Sequence, residues 1–93
     1  MEAISRAKER DAKASELRAE LASIEAKMNT LTPREREVLT HVVAGRLNKQ
    51  IAADLGTVEK TIKVHRSRMM EKLGVRTVAD LVRMAEKAGI AAR

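Results

Sequence analysis

Cationic and hydroxyl side chains recur between residues 60 and 72 at spacings that place them on one face of a helix. With Ile62 at the centre of the buried face and about 100° per residue, Met69 and Leu73 share its side. The opposite side is polar and mostly cationic, with a valine at its centre: Lys60, Lys63, Val64, Ser67, Arg68 and Glu71. One exposed valine is ordinary by itself. Among basic neighbours, it is typical of a helix in the major groove of duplex DNA, where valine can pack on a thymine methyl group.

The residues before this helix indicate how it is held. Residues 48–67 are typical of two short helices that meet at Gly56. Ile51 and Leu55 lie one turn apart on the first helix, and Ala52 is small where the second helix must approach. Gly56 can adopt the left-handed conformation that ends a helix. The segment therefore predicts a helix-turn-helix.

The net charge of +6 belongs to one part of the chain. Residues 1–31 carry six basic and six acidic side chains, and residues 32–93 carry thirteen and seven. The segment from Lys60 to Arg76 contains six basic residues and one acidic residue, Glu71. A solvated helix face usually alternates in sign, so the excess favours a phosphate-binding surface.

The composition excludes several classes of function. The 93 residues include no Phe, Tyr or Trp, so the chain has no aromatic platform for stacking single-stranded bases. There is no cysteine and no apolar run of membrane length, which fits a cytoplasmic protein in a reducing compartment. His41 and His65 stand apart, without a nucleophile or a carboxylate pair beside them. We therefore expect no enzyme, no cofactor and no metal site.

Residues 2–29 contain no Pro or Gly and predict one long helix. Its apolar positions follow the spacing of a short coiled coil: Leu17, Leu21, Ile24, Met28 and Leu31. A parallel pair would set Glu20 against Glu25, so we favour a linker helix that packs on a partner domain or forms a weak dimer. Leu21 and Ile24 are the dimer contacts expected here. The neutral, amphipathic start suggests a fragment of a longer chain.

Helix boundaries after residue 30 are marked by caps and glycines. Thr32 and Glu35 predict a capping box, with Pro33 at the first helical position. Asn48 is expected to cap the first helix of the helix-turn-helix, and Thr77 with Asp80 the last helix. That last helix has a wide apolar arc, typical of either loose packing or a dimer surface, with Val78, Val82 and Ala85 as the candidate contacts. We predict an all-α fold with a linker helix at 1–30 and a four-helix domain at 31–93.

From Leu31 to Ile90 the chain resembles the LuxR/FixJ-type helix-turn-helix domain of bacterial response regulators. The matching runs are 31–39 (LTPREREVL), 48–52 (NKQIA), 55–56 (LG), 60–66 (KTIKVHR) and 72–75 (KLGV). The resemblance implies that the third of four helices enters the major groove, that the fourth dimerises on DNA, and that a receiver domain lies upstream. This third helix is called the recognition helix, and here it follows Val58. Where the family usually has a serine cap, this chain has Val58, so Thr57 is the hydroxyl expected to cap the recognition helix.

Carried over by position, the resemblance implies base contacts from Lys63, Val64 and Ser67. It implies phosphate contacts from Lys49, Thr61, Arg68 and Lys72. The charge and the spacing of the recognition helix add Lys60 and His65 to the expected phosphate contacts.

The function expected from residues and resemblance together is sequence-specific binding of double-stranded DNA, as the output domain of a two-component response regulator that controls transcription. The expected partners are DNA, a second copy on DNA, the receiver domain and RNA polymerase, without a membrane. Two alternatives remain open at this point: a promoter-reading domain like that of a sigma factor, and a helical protein-interaction module.

Overall fold

The computed structural model describes the backbone of residues 2–90 and the side chains of residues 12–90. Five helices follow one another: α1 (Glu2–Met28), α2 (Pro33–Val43), α3 (Asn48–Leu55), α4 (Glu59–Leu73) and α5 (Val78–Lys87). Residues 2–90 contain no strand, so the all-α prediction of a long helix followed by four shorter ones is confirmed. None of the helices in this described part is long and apolar enough to cross a membrane.

Helix α2 begins as its sequence predicts. Thr32 Oγ1 accepts a hydrogen bond from the Glu35 N–H at 3.1 Å, and Glu35 Oε1 accepts one from the Thr32 N–H at 2.8 Å. Pro33 occupies the first turn, where its missing N–H costs nothing. Both arms of the capping box are therefore present, and they fix the direction in which the chain leaves α1.

Two predicted caps are wrong. Leu47 holds the N-cap position of α3 in an extended conformation, and Gln50 Oε1 accepts from the Leu47 N–H at 3.0 Å. Asn48 instead accepts a hydrogen bond from Arg66 on α4. Val58 holds the N-cap of α4 without a side-chain hydrogen bond, while the Thr57 N–H donates to the Ala52 carbonyl at 2.9 Å and closes the end of α3. The Asn48 side chain is thus used by a long-range hydrogen bond, and the Thr57 backbone is used by the turn that ends α3.

At the start of α5, only one arm of the predicted capping box forms. Thr77 Oγ1 accepts from the Asp80 N–H at 3.1 Å, as expected. The Asp80 carboxylate, however, accepts from Arg83 one turn further along, at 3.0 Å. A charged partner on the same helix is therefore preferred to the Thr77 backbone.

An aliphatic core encloses the inner side of α4. Ile62, Met69 and Leu73 are fully buried, as the periodicity predicts. α4 packs against α1, α2 and α3, and α5 packs against α2. The remaining large buried side chains come from all the other helices and from the turn after α1: Ile24, Met28, Leu31, Val38, Leu39, Val42, Ile51 and Leu81.

The end of α1 is part of this core. Ile24 is 5% exposed and Met28 8%, and Leu31 in the following turn is equally buried. Leu17 is 54% exposed, and Leu21 is half-buried. Lys87 on α5 donates to Glu20 at 2.5 Å on the same side of α1. Ile24 was expected at a dimer surface, but it is used inside the chain, because the apolar stripe of α1 covers its own domain.

Ala85 on α5 was also expected at a dimer surface, and it has no exposed area. It lies beside Leu81 on the inner side of the helix, where both pack into the core. Val78 is 38% exposed and Val82 is half-buried. Of the three α5 residues expected at a dimer surface, these two valines are therefore the ones accessible from outside the domain.

Replacing Ile24 by Ala should lower the free energy of unfolding by about 2–5 kcal/mol, because it removes a buried branched side chain and leaves a cavity. Leu17→Ala on the same helix is the matched control and should change stability by about 0.5 kcal/mol or less. Urea unfolding followed by circular dichroism measures both. Equal effects of the two substitutions would show that the end of α1 does not pack into the domain.

Candidate nucleic-acid interface

Helices α3 and α4 meet as a helix-turn-helix. Ile51 and Ile62 are fully buried between them, and Ala52 is 5% exposed at their close approach. Gly56 has φ 67 and ψ 37, the left-handed conformation that lets the chain reverse after α3. A residue with a Cβ would be strained in that conformation. The two helices predicted within residues 48–67 are therefore present as α3 and the first part of α4, and one side of α4 is buried in the core.

The outer face of α4 has the composition that the sequence indicates. Lys60, Lys63, Ser67 and Arg68 are exposed, and Val64 lies among them with 42% of its area accessible. This face lies opposite the buried stripe, so core packing determines which side chains it presents. A rotation of α4 by one residue would turn this face by about 100° and break the core.

One edge of α4 faces the rest of the domain more closely. Thr61 and His65 are half-buried, and Arg68 is exposed. Lys72, at the end of this edge, lies 2.6 Å from the Glu35 carboxylate and 3.2 Å from the Thr30 carbonyl. Lys72 was expected to contact a phosphate, but its ammonium is engaged inside the chain. On α3, Lys49 is exposed at the second helical position.

The other edge of α4 contains residues that sequence reasoning missed. Arg66 Nη1 donates to Asn48 Oδ1 at 3.1 Å and ties the middle of α4 to the start of α3. Beside this contact is an open depression of about 460 Å³ with mixed polar and apolar walls, lined by Asn48, Lys63, Arg66, Ser67, Met70, Glu71, Val75 and Arg76. The contact joins residues 18 positions apart, and no local pattern signals it.

Positive charge on this surface is largely uncompensated. Of the six basic side chains from Lys60 to Arg76, only Lys72 forms an ion pair among residues 12–90, with Glu35. Arg66 donates to the neutral amide of Asn48 and keeps its charge. The others without an ion pair are Lys60, Lys63, Arg68 and Arg76. The N-cap side chains of α3 and α4, Leu47 and Val58, accept no hydrogen bond from the first turns, so the N–H groups there add partial positive charge. The surface can attract and hold phosphates.

Glu35 is the buried charge of the domain, with 2% of its area exposed. Burial raises the pKa of its carboxyl, but hydrogen bonds from Lys72 and the Thr32 backbone, together with the charge of Lys72, outweigh burial. Its pKa therefore lies below the usual value. Glu35 is ionised at neutral pH. Within the described part of the chain, acidic and histidine side chains do not gather into a metal-binding group.

Comparison with known proteins agrees with this geometry. The family described as bacterial regulatory proteins, luxR family, matches residues 29–85, from the turn after α1 to the buried part of α5. The chain belongs to the luxR family. This membership favours the LuxR/FixJ-type interpretation over the sigma-factor alternative, and it covers the α3–α4 motif together with the helices that support it.

Two bacterial proteins are similar to nearly the whole chain. The chain is 42% identical to nodulation protein W of Bradyrhizobium diazoefficiens, over 99% of this chain and 40% of that protein. It is 43% identical to the transcriptional regulatory protein FixJ of Rhizobium meliloti, over 96% of this chain and 44% of that protein. The chain thus spans about two fifths of the length of these relatives.

Two solved structures have a similar fold. Full-length FixJ from B. japonicum superposes with a TM-score of 0.75 at 36% identity, over 84% of this chain and 38% of that chain. The response regulator StyR superposes with a TM-score of 0.71 at 42% identity, over 87% of this chain and 38% of that chain. Both identities are high enough to relate these proteins in sequence as well as in fold.

Val58→Ser should raise the free energy of unfolding by about 0.5–1.5 kcal/mol, because a serine hydroxyl at the N-cap can accept from an N–H of the first turn of α4. The native valine is 64% exposed, so its loss removes little packing. Thermal and urea unfolding measure the change. Val58→Ala is the control, since it removes the same side chain without adding an acceptor. If serine and alanine have the same effect, the start of α4 does not need a cap.

Proposed function

We propose that this chain binds double-stranded DNA in a sequence-specific manner, as the output domain of a bacterial response regulator. The observation that carries the proposal is the outer face of α4, where exposed Lys63 and Ser67 flank Val64 on a helix whose opposite side is fully buried. A helix fits the major groove of B-form DNA, and that groove distinguishes all four base pairs. Membership of the luxR family and the similarity to the transcriptional regulatory protein FixJ support the same function.

In this proposal, three side chains read bases. The Lys63 ammonium donates to guanine O6 or N7, the Val64 methyl groups pack on a thymine methyl, and the Ser67 hydroxyl bonds a donor or acceptor edge. Phosphate contacts come from the residues around them, which fix the docking geometry without reading sequence: Lys49, Lys60, Thr61, His65 and Arg68. Exposed Lys60 lies one turn before Val64 on this face, and exposed Arg68 lies at its edge.

Pairing on DNA belongs to the same proposal. Val78 and Val82 lie one turn apart on α5, about 40° from one another around the helix. Lys87, which binds Glu20 of α1, lies about 140° from Val82. Helix α1 therefore leaves the two valines accessible to a second copy. Two copies related by a twofold axis would present their α4 helices to inverted half-sites.

The proposed setting is a longer regulator in the bacterial cytoplasm. The relatives are more than twice as long as the matched part, which leaves room for a receiver domain that controls DNA binding. The exposed side chains of α1 from Lys13 to Glu20 can contact such a domain. RNA polymerase is the proposed partner of the DNA-bound pair.

Selection of binding sites from a random duplex library tests base reading. The wild-type chain should select a defined motif, built from two inverted half-sites if it pairs. Lys63→Ala and Val64→Ala should each relax the preference at one or two positions of a half-site, by about 1–3 kcal/mol per contact.

Arg68→Ala is the control, since it should weaken all sequences alike and keep the motif. Failure of the wild-type chain to enrich any motif would overturn the proposed function. A motif that changes with Arg68→Ala but survives Lys63→Ala would overturn the proposed docking of α4.

A further inference from the structure

Three segments meet at Lys72, near the end of α4. Its Nζ donates to Glu35 Oε1 at 2.6 Å and to the Thr30 carbonyl at 3.2 Å. The same Glu35 oxygen accepts the Thr32 N–H at 2.8 Å. The contact thereby joins the recognition helix to the first turn of α2 and to the turn that follows α1.

A second cation also binds the end of α1. Arg36 Nη2 on α2 donates to the Met28 carbonyl at 3.1 Å and to Asn29 Oδ1 at 3.4 Å. Carbonyls at a helix C-terminus lack partners within the helix and carry partial negative charge, so two cations at this end are favourable. The exit of α1 is fixed by one cation from α2 and one from α4.

The partner of Lys72 distinguishes it from the other residues on its edge of α4. At about 100° per residue, Lys72 lies about 40° from Arg68, which forms no ion pair among residues 12–90, whereas Lys72 is paired with Glu35. Its partner Glu35 is 2% exposed. If Lys72 moved to a phosphate, it would leave that carboxylate buried without a counter-ion, which is strongly unfavourable.

We infer that Lys72 is a positioning residue, whose ammonium holds the recognition helix against the α1–α2 turn through Glu35 and does not neutralise a DNA phosphate. The inference rests on the proposed function of α4. It assigns to one contact both the orientation of the recognition helix and the direction in which α1 leaves the domain. A movement of α1 at this turn would therefore act on α4 directly.

Salt dependence of duplex binding distinguishes this role from a phosphate contact. Each phosphate contact contributes about 0.9 to the slope of log affinity against log salt. Lys72→Met should lower affinity about tenfold or more and leave the slope unchanged. Lys72→Arg, which retains a cation for Glu35, should restore most of the affinity. Arg68→Met, one turn away on the exposed surface, should reduce the slope by about 0.9.

Glu35→Gln provides the second arm of the test. Glutamine retains the acceptor for the Thr32 N–H but removes the charge that holds Lys72. In DNA affinity, Glu35→Gln and Lys72→Met should be non-additive, so that the double variant binds about as well as the weaker single variant. A slope that falls by about 0.9 in Lys72→Met, or additive losses in the double variant, would overturn the inference.

Folding is measured alongside binding. Circular dichroism defines a temperature at which all variants are folded. If Lys72→Met is unfolded at every temperature, Lys72→Gln replaces it in the salt series and in the double variant with Glu35→Gln. The salt slope and the additivity of the affinity losses then decide the inference in the same way. Failure of the wild-type chain to bind any duplex would instead contradict the proposed function. In that case, non-additive unfolding free energies of Glu35→Gln and Lys72→Met, or of Glu35→Gln and Lys72→Gln, would still report the contact between the two helices.

Discussion

The complete burial of one side of α4 in an aliphatic core is the constraint on which the rest of this structure depends. Ile62, Met69 and Leu73 have no exposed area, and the chain has no aromatic side chain to fill gaps around them. Close packing of such a core tolerates little rotation or sliding of the helix. The outer face of α4 is therefore presented in a fixed orientation, and the proposed base-reading residues gain their geometry from residues on the other side of the same helix.

Helix α1 is part of the same constraint. Ile24 and Met28 fill the core next to α4, and the contact between Lys72 and Glu35 fixes the turn where α1 ends. A helix that ends inside the core of a domain is a rigid extension of it, at least over the turns that pack. These turns of α1 therefore keep a defined angle to α4.

Periodicity and local chemistry predicted much of this fold. The spacing of Ile62, Met69 and Leu73 identified the buried side of α4, and Thr32 with Glu35 predicted where α2 begins. Both signals lie within a few residues of one another, and the relevant interactions are local. The start of α3 was mispredicted because the Asn48 side chain is bound by Arg66, 18 residues further along.

The placement of Ile24, Ala85 and Lys72 could not be predicted for a related reason. Periodicity shows which side of a helix is apolar, but not whether its own domain or a second copy covers that side. Part of the apolar stripe of α1 and part of that of α5 are buried in the core of this chain. Likewise, the charge of Lys72 is visible in the sequence, whereas its partner Glu35 lies 37 residues earlier and was recognised only as a cap.

Chemical-shift mapping of a duplex titration tests the central claim most directly. The chain would be labelled with ¹⁵N, and its amide spectrum recorded with increasing amounts of a duplex that carries the selected site. The account predicts that the largest perturbations lie on α4 from Lys60 to Glu71 and at Lys49 on α3, with the amides of residues 12–20 on α1 unchanged. Perturbations confined to α1 or α5, with the outer face of α4 unaffected, would contradict it.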